Sequence, residues 1–174
     1  MFLDETGFLL QPLNRRTWAP RGETPVQYAS ARHDRLSTIG AVTLSPHRQR
    51  INTYWQFYGG NIVATDVVAF LRHLHRQIGR KLIVVLDRFN VHRKAVRLLN
   101  EQLAEWITIE WLPAYAPDLN PVEAIWSCTK YGDLANYVPG DLDDLEDAVL
   151  DSLISQSGHP STKRSYFKTA KLAI

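Results

Sequence analysis

The hydrophobic period of this chain changes once, and that change limits the folds open to it. Up to about residue 59 the apolar stretches are short, β-branched and aromatic: STIGAVTLS (37–45) and INTYWQFYG (51–59), with a turn signal at Ser45-Pro46. They predict an antiparallel pair of strands. FLDETGFLL, at the start, predicts a further short strand, or a strand and a turn around Gly7. A polar, proline-containing loop runs from about 11 to 35. Beyond residue 60, Val63, Val67, Phe70 or Leu71, Leu74 and Ile78 recur at helical spacing. KLIVVLD (81–87) is a continuous apolar run ending in an acid, the pattern of a strand buried on both faces. Ala95, Leu99, Leu103 and Trp106 mark a second helix, and ITIEWLP (107–113) another strand. NPVEAIWSCTKY opens a third helix, and Leu142, Leu145, Val149 and Leu153 line a last one. Strands first and helix–strand alternation afterwards predict an α/β fold, a mixed sheet with helices on both faces.

A chain of 174 residues suits one domain with a real core. The core is expected over residues 1 to about 155, with 156–174 as a C-terminal tail. No apolar run is long enough to span a membrane. The opening MFLDETGFLL lacks a basic leader region and carries two early acids, so it does not read as a signal peptide. The single cysteine, Cys128, cannot form an internal disulfide. It fits a reducing cytoplasm and the usual role of a small buried hydrophobe. A net charge of +2 does not by itself announce a nucleic-acid partner. The distribution says more: NRRTWAPRG (14–22) and SPHRQR (45–50) are basic, while DLDDLEDAVLD (141–151) is acidic. That acidic run reads as a solvated helix face that DNA would avoid.

Four acids are placed where chemistry could use them. Asp87 closes the buried strand, and ligands of open α/β sheets bind beyond the carboxyl ends of strands. It could equally cap the turn that follows. Asp4 and Glu5 lie inside a largely apolar strand, where a charge is costly unless paired or bound to a cation. Alternation puts Phe2 and Asp4 on one face and Leu3 and Glu5 on the other, so one acid could simply face solvent. Glu123 follows Asn120 as helix cap and Pro121 at the first helical position, and could do no more than complete a capping box. Pro113, Pro117 and Pro121 are expected to hold the connection extended and to start the helix at a defined residue. A start fixed in that way presents Glu123 at a fixed place, as a metal ligand requires.

FLDETGF, RRTWAPRGETP, VVLDRFNVHR and LPAYAPDLNPVEAIW, in that order, resemble the catalytic domain of mariner-like insertion-sequence transposases. These are endonucleases of the DDE superfamily with a ribonuclease-H-like fold: three antiparallel strands, then two parallel ones, with helices on both faces. The resemblance runs from residue 2 to about 155. It implies that Asp4, Asp87 and Glu123 are the three catalytic, metal-binding acids, and that His92 and Asn120 support them. The family often has Asn directly after the second acid, where this chain has Arg88. The resemblance further implies two Mg²⁺ or Mn²⁺ ions, which suit hard carboxylates, and a reaction that cleaves DNA at transposon ends and joins it to a target. It implies a homodimer acting on end and target DNA, with no membrane partner.

Basic residues around these motifs are candidate DNA contacts. Arg15, Arg16, Trp18 and Arg21 mix guanidinium groups with an indole that could stack on a base. The alternative is a solvated loop with Trp18 folded back onto the core. Arg88, Arg93 and Lys94 flank the second acid and could meet phosphates, or could be a solvated helix start. RHLHR (72–76) does not read as a zinc site, because residues two apart on a helix do not face each other. Family members carry a helix-turn-helix ahead of the first acid, which here is at position 4. The chain alone is therefore expected to lack end recognition, which a separately encoded N-terminal part could supply. Two further readings stay open: a catalytically silent remnant that binds DNA or a partner subunit, and an RNA–DNA hybrid nuclease on the same fold. The second leaves RTWAPRG and LNPVE unexplained.

Overall fold

The computed structural model describes residues 1–29 and 32–174. Five strands form one sheet in the order β3-β2-β1-β4-β5. β1 (Phe2–Leu9), β2 (Arg35–Leu44) and β3 (Ile51–Tyr58) are antiparallel neighbours. β4 (Leu82–Leu86) and β5 (Ile107–Trp111) add in parallel. β1 thus lies between the antiparallel and parallel halves. It runs unbroken through Gly7, so the turn considered there does not form.

The helices divide between the two faces. α1 (Ala64–Ile78) and α2 (Asn90–Glu101) cover one face, where Leu3, Ile39, Leu71, Val84, Leu86 and Leu99 share a core. α3 (Pro121–Cys128), α4 (Leu142–Gly158) and α5 (Pro160–Thr169) cover the other, where Phe8, Val42, Val122, Trp126, Val149 and Phe167 share a second. Because side chains alternate along β1, its odd-numbered Leu3 enters the first core and its even-numbered Phe8 the second.

Several expectations need correction. β4 is not buried on both faces: Leu82, Val84 and Leu86 are buried, but Ile83 is 62% exposed. The reason is coverage, since α3, α4 and α5 pack on β1, β2 and β3. α2 stops at Glu101 rather than running to Trp106. Leu103 turns left-handed (φ 48), its N–H bonds Asn100 O, and Ala104 N–H bonds Leu99 O. That is a Schellman stop, and the helical spacing of Leu103 and Trp106 beyond it is coincidental. Residues 156–174 are not a tail. α5 buries Tyr166 and Phe167 in the second core, and the Tyr166 hydroxyl donates to Gln156 Oε1 at 2.7 Å. Two aromatic residues in an otherwise polar stretch are too little period to predict a helix. Cys128 is exposed rather than buried. Among the described residues, no helix is long and apolar enough to cross a membrane.

Candidate active site

The site assembles where β1, the end of β4 and the start of α3 meet. Asp4 pairs across the ladder with Gly40 of β2, and Phe2 with Val85 of β4. The parallel register continues toward Asp87, just beyond β4. Asp4 is buried, on the face covered by α3. Gly40 makes that coverage close. A Cβ there would lie 2.6 Å from Trp126 Cη2, so the indole rests directly on the strand. In place of a side chain at this position, β2 presents flat backbone to α3.

Asn120 fixes where α3 starts. Its Oδ1 accepts the Val122 N–H at 3.2 Å, the N-cap bond expected from sequence. Its Nδ2 donates to Leu3 O at 3.3 Å, tying the cap to the backbone beside Asp4. The second half of the capping box is not made, because Asn120 N–H bonds Pro117 O at 2.8 Å. Glu123 is therefore not spent on the cap, and its carboxylate is exposed beside the strand ends. The prolines act differently from expectation: Pro117–Leu119 is a 3₁₀ turn rather than an extended run, and Pro121 is the first helical residue.

The second acid is held by α2. Asp87 Oδ1 accepts both the Phe89 N–H at 2.9 Å and His92 Nδ1 at 2.5 Å. His92 is 1% exposed, and its Nε2 lies 2.7 Å from Glu5 Oε2. That second contact is a close ion pair whose angle falls short of an aligned hydrogen bond, and Glu5 Oε1 has no hydrogen-bond partner. One imidazole thus sits between two carboxylates on neighbouring strands. Burial alone would lower the His92 pKa; the bonds to Asp87 and then Glu5 override it and push it up to about 10. The hydrogen bond from His92 holds the Asp87 carboxyl below its ordinary range, against the opposing effect of burial.

Asp4 has no such partner. Burial raises its pKa well above the ordinary value, and the charges of Glu123, Glu5 and Asp87 raise it further. Lys130 is the nearby cation. It follows α3 in a π-helical turn (Thr129–Asp133), and its Nζ donates to Thr6 Oγ1 at 2.5 Å. Burial lowers the Lys130 pKa, while Glu123 and Asp4 oppose that shift. Among the described residues, no three His, Cys, Asp or Glu side chains are grouped closely enough to hold a metal ion by themselves. The donors fit instead a hard divalent cation that keeps waters and takes substrate oxygens as further ligands. Among the described residues the buried Asp4 carboxyl makes no ion pair, although Lys130 lies near enough to interact with it, and Asp87 Oδ2 takes neither of the two bonds made to Oδ1.

The structure therefore brings Asp4, Asp87, Glu123, His92 and Asn120 together. The basic loop stands apart and is anchored through Asn136, whose Oδ1 accepts the Arg15 N–H and whose carbonyl accepts Gln27 Nε2. The Arg15 guanidinium lies over the Tyr131 ring, 5.2 Å from its centroid. Arg16 and Arg21 are exposed, and Trp18 is 99% exposed, so it is not folded onto the core. Arg88, Arg93 and Lys94 are exposed around the start of α2. His75 of RHLHR is engaged by Arg80 O and stacked on Trp106. Sequence reasoning missed Lys130, and it weighed Glu5 as a strand acid without finding its contact to His92. Spacing of two helical turns from Glu123 carried a signal for Lys130, and strand alternation placed Glu5 on the face opposite Asp4.

A model of the DDE superfamily endonuclease family matches residues 1–146. Among solved structures, the chain is similar to a pre-cleavage Mos1 transpososome, with a TM-score of 0.67 and 16% identity, covering 98% of this chain and 51% of that one. It is likewise similar to the Mos1 mariner paired end complex with Mn (TM-score 0.64, 16% identity, 98% and 51% covered). The Mos1 strand transfer complex gives a TM-score of 0.61 and 20% identity, with 98% and 50% covered. The chain spans about half the length of these solved chains, and at such identities the likeness establishes the fold. No curated protein matches the chain.

Proposed function

The chain belongs to the DDE superfamily of endonucleases, and from that premise we propose that it is the catalytic domain of a mariner-like insertion-sequence transposase. The observation that carries this reading is the buried Asp4, with the charges of Glu123, Glu5 and Asp87 around it at the strand ends. Asp4, Asp87 and Glu123 are the residues that would hold two divalent ions, Mg²⁺ or Mn²⁺. When bound, such ions activate the attacking oxygen and stabilise the leaving one.

The reaction is hydrolysis of a phosphodiester at a transposon end, which frees a 3′-hydroxyl, followed by attack of that hydroxyl on target DNA. Both steps are in-line displacements with no covalent enzyme intermediate. The protein's part is positioning. Asn120 sets α3, and with it Glu123, against β1. His92 and the Phe89 N–H orient Asp87. Arg88, Arg93 and Lys94 would meet phosphates beside the acids. Arg15, Arg16 and Arg21 would hold the backbone, and Trp18 would stack on a base. The working form is a homodimer pairing two ends in the cytoplasm, at the nucleoid.

The test is Mn²⁺ calorimetry on the wild type and Asp87→Ala, followed by cleavage of end DNA. Binding by the wild type alone, with cutting of duplex DNA, is the expected result. Absence of binding by both, with DNA present, would overturn it in favour of a silent DNA-binding remnant. Preferential cutting of an RNA–DNA hybrid would instead point to a hybrid nuclease.

A further inference from the structure

We propose that Glu5 is a positioning residue for the second acid, acting on Asp87 through His92. The inference rests on the proposed role of Asp87 as a cation ligand and deepens it.

Glu5 does not point into the site of Asp4, although its charge is felt there. The two are consecutive on β1, so Glu5 faces α2 while Asp4 faces α3. What Glu5 reaches is the far nitrogen of His92, at 2.7 Å, and the near nitrogen of that ring bonds Asp87 Oδ1 at 2.5 Å. The contact with Glu5 on one side and the bond to Asp87 on the other leave the ring a single orientation, with Nδ1 donating its hydrogen to Asp87. Oδ1 of Asp87 receives that hydrogen and the Phe89 N–H together, which fixes the carboxylate plane and leaves Oδ2 for a cation. Supporting groups of this kind, one bond removed from a metal ligand, commonly change affinity 10–100-fold when removed.

The bland alternative is that Glu5 and His92 merely join β1 to α2. It does not account for the chain of contacts ending on one oxygen of a catalytic acid, nor for the uncommitted Glu5 Oε1. A joining role would appear in stability and would leave Asp87 untouched.

The experiment uses Glu5→Gln, Glu5→Asp, His92→Ala and the Glu5→Gln/His92→Ala double variant in the full chain. Glu5→Gln is near-isosteric and guards against a variant that fails to fold. Glu5→Asp keeps the charge but is too short to keep the contact. Mn²⁺ affinity is read by calorimetry, with melting temperature as a control. Both Glu5 variants are expected to bind about 10-fold more weakly than wild type, and the double variant no more weakly than His92→Ala alone. Wild-type affinity in Glu5→Gln, or losses that multiply in the double variant, would overturn the proposal. A second readout needs no metal: the His92 ring ¹⁵N and Asp87 carboxyl ¹³C chemical shifts at one fixed pH. Glu5→Gln should move both sets of resonances, because the ring and the carboxylate it holds lose their fixed orientation. If neither moves, Glu5 does not act on Asp87. Failure of the wild type to bind Mn²⁺ would sink the transposase reading alone, because the ring measurement would still decide the Glu5 proposal.

Discussion

Single residues carry opposite burdens in this site. Asp4 is destabilising by design: it is buried, and its neighbours share its charge. Asp4→Asn should abolish Mn²⁺ binding while stabilising the metal-free fold at neutral pH, on the order of 1–2 kcal/mol in denaturant melts. A loss of stability instead would mean that Asp4 has a partner in solution. His92 works the other way. Its folded pKa lies above its ordinary 6.5, at about 10. Its stabilisation is therefore fully present below about pH 6.5 and is lost as pH rises toward 10. Melting temperature without metal should fall across that window in the wild type, and the slope should flatten in His92→Gln. Gly40 has no charge but sets a distance. Gly40→Ala would drive a methyl into the Trp126 ring, costing about 1–3 kcal/mol and displacing α3. Unchanged stability in that variant would mean the indole does not lie on the strand.

Among the elements, α3 does the most with the fewest residues, and Asn120 joins it to β1. Asn120→Ala loses the cap, about 1 kcal/mol, and the tie to Leu3 O. Asn120→Asp keeps an acceptor for the cap but cannot donate to Leu3 O. It should retain most of the stability yet bind Mn²⁺ more weakly, and equal binding would assign Asn120 to capping alone. The N-cap and the proline at the first helical position were legible because both are local chemistry. The mixed sheet, and Asp87 at the carboxyl end of β4, were legible from the change of hydrophobic period, whereas the strand order within the sheet was not. The end of α2 was not, because a left-handed Leu103, 83% exposed, leaves no glycine to mark it. α5 was hidden because its contribution is two aromatic side chains that make sense only against α3 and β3. Phe167→Ala should cost about 3–5 kcal/mol, read as a lower denaturation midpoint. A change near zero would return residues 156–174 to the status of a tail. Likewise the motif named Asp4, Asp87 and Glu123, but the link from Glu5 to Asp87 through His92 became visible only with α2 folded beside β1.

At the scale of the whole molecule, charge is arranged rather than abundant. The net charge is +2, yet the exposed loop of Arg15, Arg16, Trp18 and Arg21 hangs from Asn136 on one side, and the acidic first turn of α4 carries Asp143 and Asp144. DNA affinity of the isolated chain should be weak and should fall steeply between 50 and 200 mM salt. Replacing Arg15 and Arg16 by Ala should shallow the slope of log K against log salt by about 2. Trp18→Ala should lower affinity with the slope unchanged, at about 1–3 kcal/mol if a base stacks there. A salt-independent affinity would place the contact elsewhere. β1 gives the molecule one last property. Asp4, proposed to hold the metal, and Glu5, proposed to steady Asp87, are adjacent letters of one strand, read out on opposite faces. A substitution at either one can be graded, but gain or loss of a single residue ahead of them would exchange their faces at a stroke. The site can therefore drift by point changes, whereas an insertion or deletion in this strand switches it off, so a lineage carrying this domain should preserve the length of β1 more strictly than its composition.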